Sequence, residues 1–588
     1  MMPTYRVTFV HAPVCQYDHH DSALFSPLWA YTLAAYVPAT WDVAIADCLL
    51  ETPAEIAQAD VFAFSGTNQD IDSLKAVHSL LKAKYPSATF VLGGPITWSL
   101  EREGKLHLLD FFDRLFVLDG EQSLPAFLGA FERGLSASFP KIIRGDRFDL
   151  EQARPIRFDL YRDNVDKYFG ASIEVSRGCP FLCEFCDVRV LPDNNRANNK
   201  SAELIVRELD SYFAMGISHF LFVCDNFVGD VNWARACVDA ILAWQSRTGA
   251  KLSIFTWATL NIAKLPDLMG KMRRAGFTVL YIGIESVNEH ALLETAKVQN
   301  RVALAPAVCR IQSFGFIIAP GFIFGFDSDG PTLFDDTLAF IVETGLIGGD
   351  PSFLMAMPGT PLFDRMRATS RLVEGRASAT SRRKIATNIR YLMDARVLAR
   401  GFVRFIEDLT DAGTQLRRFQ RHIELLEKSD RFVAIEGTRP ASRSRKTLRF
   451  LRLQLAHRAG RESLAMRMKY LLRSPSRALA VLRGLWIART ASRLKEDAGL
   501  HWSFWVYAWT SVGLRYRGLR EEDVSLHSVP EGFDVASLAR EANWAPEIGV
   551  ERLTQRSAKE KAQTRFTREA LSRLVASKSK GSVGSPAE

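Results

Sequence analysis

Three cysteines within eight residues constrain this chain more than any other feature. They lie in Val175-Ser176-Arg177-Gly178-Cys179-Pro180-Phe181-Leu182-Cys183-Glu184-Phe185-Cys186-Asp187, at C-x₃-C-x₂-C spacing. A loop this short can fold three thiolates around one cubane. Three ligands leave one iron of a 4Fe–4S cluster without a protein ligand, open to a chelating molecule. Structural zinc usually takes four ligands in two spaced pairs, and no second such pair follows. Three inert thiols are the blander alternative, because free cysteine also packs as a small hydrophobe.

On either side of this loop, apolar runs alternate with helical patterns. The first set puts strands at 6–10, 42–46, 61–65, 89–92 and 115–118, with helices at 27–36, 71–84 and 124–133 between them. Five short apolar strands with intervening helices predict a Rossmann-like, doubly wound parallel sheet over residues 1–135. Such sheets bind ligands at the carboxyl ends of their strands. Ser65-Gly66-Thr67 and Gly93-Gly94-Pro95 fall there, and glycine lets a large ligand approach the backbone. Residues 136–170 read as a linker. A second set of strands, at 172–176, 219–223, 252–257, 278–283, 316–324 and 352–357, predicts a partial (βα)₆ barrel over 171–365. Barrel chemistry gathers at the carboxyl ends of the strands, where Cys179, Cys183 and Cys186 fall. Ser201 and Gly216 read as the N-cap and stop of the helix at 202–215.

The cysteine loop, with Phe185 before its last cysteine, resembles that of the radical S-adenosylmethionine superfamily. Pro27-Leu28, Leu33-Ala34-Ala35-Tyr36 and Val91-Leu92-Gly93-Gly94-Pro95 resemble the cobalamin-binding domain of its cobalamin-dependent (class B) members. Asp119-Gly120-Glu121 is similar to that family's Gly-Glu-Gly-Glu turn, with Asp119 departing from it. The resemblance implies an open six-stranded barrel, with S-adenosylmethionine on the cluster and cobalamin above the barrel mouth. It places Asp225 and Asn226, in Cys224-Asp225-Asn226-Phe227, near the methionine part of the cofactor. Gly283, Glu285 and Ser286 would meet the ribose, and Gly325 and Asp327 the adenine side. Ser65, Gly66, Thr67, Gly93 and Gly94 would face cobalamin. Cys224, where the family has an aspartate, reads as core or as a reactive thiol. The loop Asp18-His19-His20-Asp21-Ser22-Ala23 has alanine where a histidine-ligating cobalamin loop has glycine, so His20 is not assigned to cobalt.

Residues 366–440 are helical in pattern and resemble the extension behind barrels such as those of the hopanoid methylases. Residues 441–560 are basic and aromatic, and 561–588 read as a disordered tail. Between 441 and 520 lie 18 Lys or Arg against three acids, leaving the rest of the chain net acidic despite its overall charge of +9. Three readings stay open for this stretch: a helical bundle with a basic face, a membrane-surface element using Trp502, Trp505 and Trp509, and nucleic-acid binding, the least favoured.

The resemblance implies a methyltransferase working through a 5′-deoxyadenosyl radical on a hydrophobic small molecule such as a lipid. Its electron donor would be a flavodoxin or ferredoxin. An oxidative cyclase and a non-catalytic redox sensor are the alternatives. An oxygen-sensitive cluster and few cysteines suit a reducing cytoplasm, with peripheral contact at its membrane face. No leader pattern and no uncharged apolar run of spanning length is visible.

Overall fold

The computed structural model describes residues 5–13, 25–191, 193–300, 302–347, 349–373, 385–438, 452, 455, 458–494 and 497–534. The loop at 18–23, residues 448–451 and the tail from 535 onward lie outside them.

The first unit is a parallel sheet of β1 (Tyr5–His11), β2 (Trp41–Asp47), β3 (Val61–Ser65), β4 (Thr89–Gly93), β5 (Arg114–Val117) and β6 (Ile142–Arg144), in the order β2-β1-β3-β4-β5-β6. Alternate residues feed two cores. Val7, Phe9, Val61, Ala63 and Val91 enter one, and Val10, Phe62, Phe64, Phe90 and Leu92 the other. A parallel sheet covered on both faces needs this unbroken apolar pattern. The strand order reverses between β1 and β3, so the ligand crevice of such a sheet opens at His11 and Ser65. The sixth strand corrects the expected boundary at 135. Ile142–Arg144 belongs to the sheet, though the sequence around it reads as linker.

The second unit begins with β7 (Ala171–Glu174). A short antiparallel pair, β8 (Ser176–Arg177) and β9 (Asn198–Asn199), brackets the cysteine loop. Then follow β10 (His219–Val223), β11 (Ser253–Ala258), β12 (Phe277–Glu285), β13 (Ile317–Phe324) and β14 (Asp350–Phe353). The order β7-β10-β11-β12-β13-β14 is parallel throughout and leaves the barrel open between its end strands. The last strand sits earlier than the expected 352–357. Beyond Phe353 the side chain of Asn388 replaces the ladder, accepting from Ala356 N (3.0 Å) and donating to Ala356 O (2.7 Å). Ser201 caps the Ala202–Ala214 helix as expected, accepting from Leu204 N at 3.2 Å.

The C-terminal region is mainly helical. Helices Ala395–Thr410, Ala412–Lys428, Arg458–Leu472, Pro475–Thr490 and Asp497–Arg515 are joined by one parallel pair, β15 (Ile385–Tyr391) with β16 (Val524–Ser528). That pairing crosses the boundary expected at 440. The aromatic run does not face outward. Trp505 and Trp509 are fully buried, Phe419 stacks on Trp505 at 5.0 Å, and Trp509 Nε1 donates to Thr410 O at 3.0 Å. Trp502 is half-buried beside them. These tryptophans are bundle core, so a surface role for Trp505 and Trp509 is corrected. No helix of the described residues is long and apolar enough to cross a membrane.

Candidate active site

The cysteine loop leaves β8 at the carboxyl end of the barrel. Gly178 starts it at φ +87°, where an added Cβ would overlap Arg196 O. Only glycine takes that backbone without strain. The loop is held by bonds that use none of its thiols. Gly178 N donates to Asp225 Oδ2 (2.6 Å), Cys179 N to Asn194 O (3.0 Å) and Glu184 N to Thr295 O (2.9 Å). The sulfurs have donors of their own: Gln299 Nε2 to Cys183 Sγ at 3.1 Å, and Asn226 Nδ2 to Cys179 Sγ at 3.8 Å. Amide donors to sulfur are among the features that set the potential of a cluster. No three His, Cys, Asp or Glu side chains among the described residues converge as one metal ion requires. In a cubane each thiolate binds a different iron.

The expected strand-end residues gather at the same mouth. Asp225 is exposed there, and Asn226 is buried, accepting from Val228 N and Thr259 Oγ1. Glu285, at the end of β12, has φ +66° at a register break with β13. A non-glycine residue in that region stores strain of the kind found at functional sites. Its carboxylate pairs with Lys297 Nζ at 2.6 Å, and Lys297 lies 5.8 Å from the Phe185 ring centroid. Burial pushes the Lys297 ammonium down, but Glu285 and the neighbouring thiols win and hold it up, so it stays charged. Ser286 Oγ accepts from Asn288 N. Both ribose-side candidates therefore have partners inside the protein. Cys224 is buried against Thr256 Oγ1, and burial pushes its thiol up to about 12, the behaviour of a core thiol.

Asp327 does not face the mouth. It is buried and accepts from Arg371 (2.6 and 2.9 Å) and Arg365 (2.8 Å). Arg365 also grips Glu184, between the second and third cysteines, through two bonds of 2.7 and 2.8 Å. Gly325 likewise serves packing. It has φ +95°, and a Cβ there would sit 2.5 Å from the Tyr391 ring. Sequence reasoning missed Arg365, Lys297, Gln299 and Asn300. The polar run Lys297-Val298-Gln299-Asn300 soon after β12 was the available signal for the last three. Asn300 Nδ2 holds Gly283 O and Ile284 O, both at 2.9 Å.

Burial pushes the neighbouring Asp329 carboxyl up to about 7, although Gly325 N and Phe326 N donate to it. Its folded pKa lies above the ordinary 3.8, so its stabilising contribution is full below that value and is lost as pH rises through about 7. Asparagine keeps an oxygen for both amides and cannot ionise. Asp329→Asn should match the wild type in unfolding free energy near pH 4 and exceed it at pH 9, by on the order of 2–4 kcal/mol. Parallel melting curves across that range would refute the shift.

Two charged turns join the units. Arg177 pairs with Glu174 (2.8 Å) at the end of β7, and with Glu121 (2.5 Å) and Asp119 (3.2 Å) after β5. Arg147 completes the junction on Asp119 (2.7 Å) and Asn194 Oδ1 (2.7 Å). The carboxyl edge of the first sheet is thereby held at the cysteine loop. On that edge Ser65, Gly66, Gly93 and Gly94 are partly exposed and Thr67 is exposed. Gly94 has φ +85°, and a Cβ there would overlap Ser65 Oγ. Thr67 N and Oγ1 both donate to Asp70 Oδ2, which fixes the turn after β3. Gly94→Ala should cost roughly 1–3 kcal/mol of folding stability, from a backbone region that alanine avoids. An unchanged melting temperature would contradict the geometry.

Residues 173–329 match the Radical SAM superfamily, and residues 360–479 match a domain of unknown function (DUF4070). Residues 173–329 are thus a Radical SAM domain. The chain's relatives include an uncharacterized methyltransferase of Synechocystis sp., 32% identical over 60% of this chain and 64% of that protein. The hopanoid C-2 methylase of Rhodopseudomonas palustris is 30% identical over 60% of this chain and 66% of that protein. The chain thus spans slightly less than two thirds of each. Its fold is shared with the cobalamin-dependent S-adenosylmethionine radical enzyme OxsB, with TM-score 0.55 at 14% identity, covering 97% of this chain and 84% of that one.

Proposed function

We propose that this protein is a cobalamin-dependent radical S-adenosylmethionine methyltransferase. Its substrate is a hydrophobic small molecule, and we infer a membrane-resident lipid. One observation carries the reading: the Arg177 junction brings together the carboxyl edges of both sheets, the edges at which each type of unit binds ligands. When bound, the cluster with S-adenosylmethionine supplies hydrogen abstraction from an unactivated carbon, and cobalamin supplies the methyl group.

The chain's own residues position and exclude. Cys179, Cys183 and Cys186 would ligate three irons, and Gln299 and Asn226 would donate to their sulfurs. Asp225 at the mouth and the strained Glu285-Ser286 turn would address S-adenosylmethionine. Ser65 to Thr67, with Gly93 and Gly94, would let a corrin approach the first sheet. Along the barrel strands, even-numbered residues such as Phe222, Ile254 and Leu280 are buried under the helices. The odd-numbered Leu221, Phe255, Trp257 and Tyr281 stay partly open on the other side. Period-two alternation assigns these to the lumen, which is therefore apolar and aromatic. Such a lining favours a hydrophobic substrate, and one relative is by name a methylase of hopanoids. A small reductant such as flavodoxin or ferredoxin would supply the electron.

Anaerobic reconstitution with iron, sulfide, S-adenosylmethionine and cobalamin, supplied with a lipid extract, tests the reading. 5′-Deoxyadenosine should form over many turnovers, with a product heavier by one methyl unit. Turnover without that gain would mean ring closure or another rearrangement, and no turnover would mean a sensor.

A further inference from the structure

We propose that the Pro475–Thr490 helix is a docking face for an anionic lipid bilayer. The inference rests on this helix and its surroundings and does not require the methyl-transfer reading.

The helix has two faces of unlike character. Ala480, Gly484 and Ala488, four residues apart, are buried. Gly484 leaves no room for a larger side chain, since a Cβ there would lie 2.9 Å from Trp505. This small-residue stripe seats the helix on the tryptophan core. The opposite face carries Leu479, Leu482 and Trp486, which are 48%, 63% and 66% exposed. Their spacing of three and four residues puts them on one line of the helix. Arg483 and Arg489 are exposed on either side of that line. The preceding helix ends on two more exposed apolar side chains four residues apart, Met468 and Leu472. Among the described residues nothing covers these groups. Scattered exposed leucines are ordinary, but a leucine and tryptophan ridge between arginines is not.

Charge decides the occupant. Residues 463–494 hold seven Lys or Arg and no Asp or Glu. A second copy meeting this face about a two-fold axis would set arginines against arginines, and like-charge juxtaposition opposes such pairing. An anionic membrane surface offers the opposite charge over a broad plane, with an apolar layer beneath for Leu482 and Trp486. Helices with this division lie in the interface plane. The surface reading of this region therefore moves from the buried Trp505 and Trp509 to the exposed ridge at 479–486.

The test is flotation of the full-length protein with vesicles of phosphatidylcholine alone or with phosphatidylglycerol, at low and high salt. The wild type should float with the anionic vesicles and release as salt rises. Leu482→Glu/Trp486→Glu should lower the bound fraction about tenfold or more, and Arg483→Glu/Arg489→Glu should do the same at low salt only. Both pairs alter exposed residues, and unchanged circular dichroism and melting temperature would exclude misfolding. The proposal fails if the wild type stays at the bottom of the gradient, or if both variants float as well as it does. It also fails if the ridge variants convert a dimer to a monomer, which would assign the face to a second copy.

Discussion

Alanine at Cys179, Cys183 or Cys186 is expected to abolish both the cluster and turnover, from any one position. Wild-type protein reconstituted without oxygen should hold about four irons per chain, and each variant close to none. The three thiols are the only cysteines of their loop, and two remaining ligands cannot retain a cubane. The fold should survive. Asp225, Asn194 and Thr295 fix the loop through its backbone, and none of those bonds uses a sulfur. Cluster loss should therefore appear with a nearly unchanged melting temperature of the iron-free protein. Wild-type iron loading in any one variant would remove that cysteine from the ligand set.

The second large effect is expected at Arg365. Its guanidinium is buried and bonds Glu184 and Asp327 at once. Arg365→Met keeps the length and removes the charge. Glu184 then loses its ion pair, and Asp327 keeps only Arg371. Breaking a buried pair from one side costs about 3–5 kcal/mol, mostly from the charge left behind. Arg365→Lys should rescue little, because an ammonium cannot reproduce the two-bond fork on Glu184. Urea unfolding of the iron-free protein reads the stability cost. Iron retention reads the second consequence, a loosened loop between Cys183 and Cys186. A methionine variant as stable as wild type would mean that the carboxylates are not charged in the folded protein.

Much of this was legible in the sequence, and what was not has physical reasons. The cysteine spacing and the alternation of apolar strands with helices are local signals, and both sheets follow them. Ile142–Arg144 is three residues long, too short to show a period, so its place as the sixth strand depends on β5 beside it. Arg365 and Glu184 are 181 positions apart, and no local pattern links such partners. Asp327 sits in a glycine turn at a strand end whether it binds a ligand or two arginines, so the motif alone could not separate those roles. Around Trp505, composition gave basic and aromatic content without direction. Helical phase supplied the rest, turning Trp505 and Trp509 inward and Leu482 and Trp486 outward.

The proposed reaction is transfer of a methyl group to carbon by the two joined α/β units. Its most direct test is anaerobic turnover with S-adenosylmethionine labelled by ¹³C in the methyl group, followed by mass spectrometry of the lipid-soluble product. The label is expected on a carbon of that product, together with 5′-deoxyadenosine. Steady formation of 5′-deoxyadenosine with a product that carries no label would contradict it.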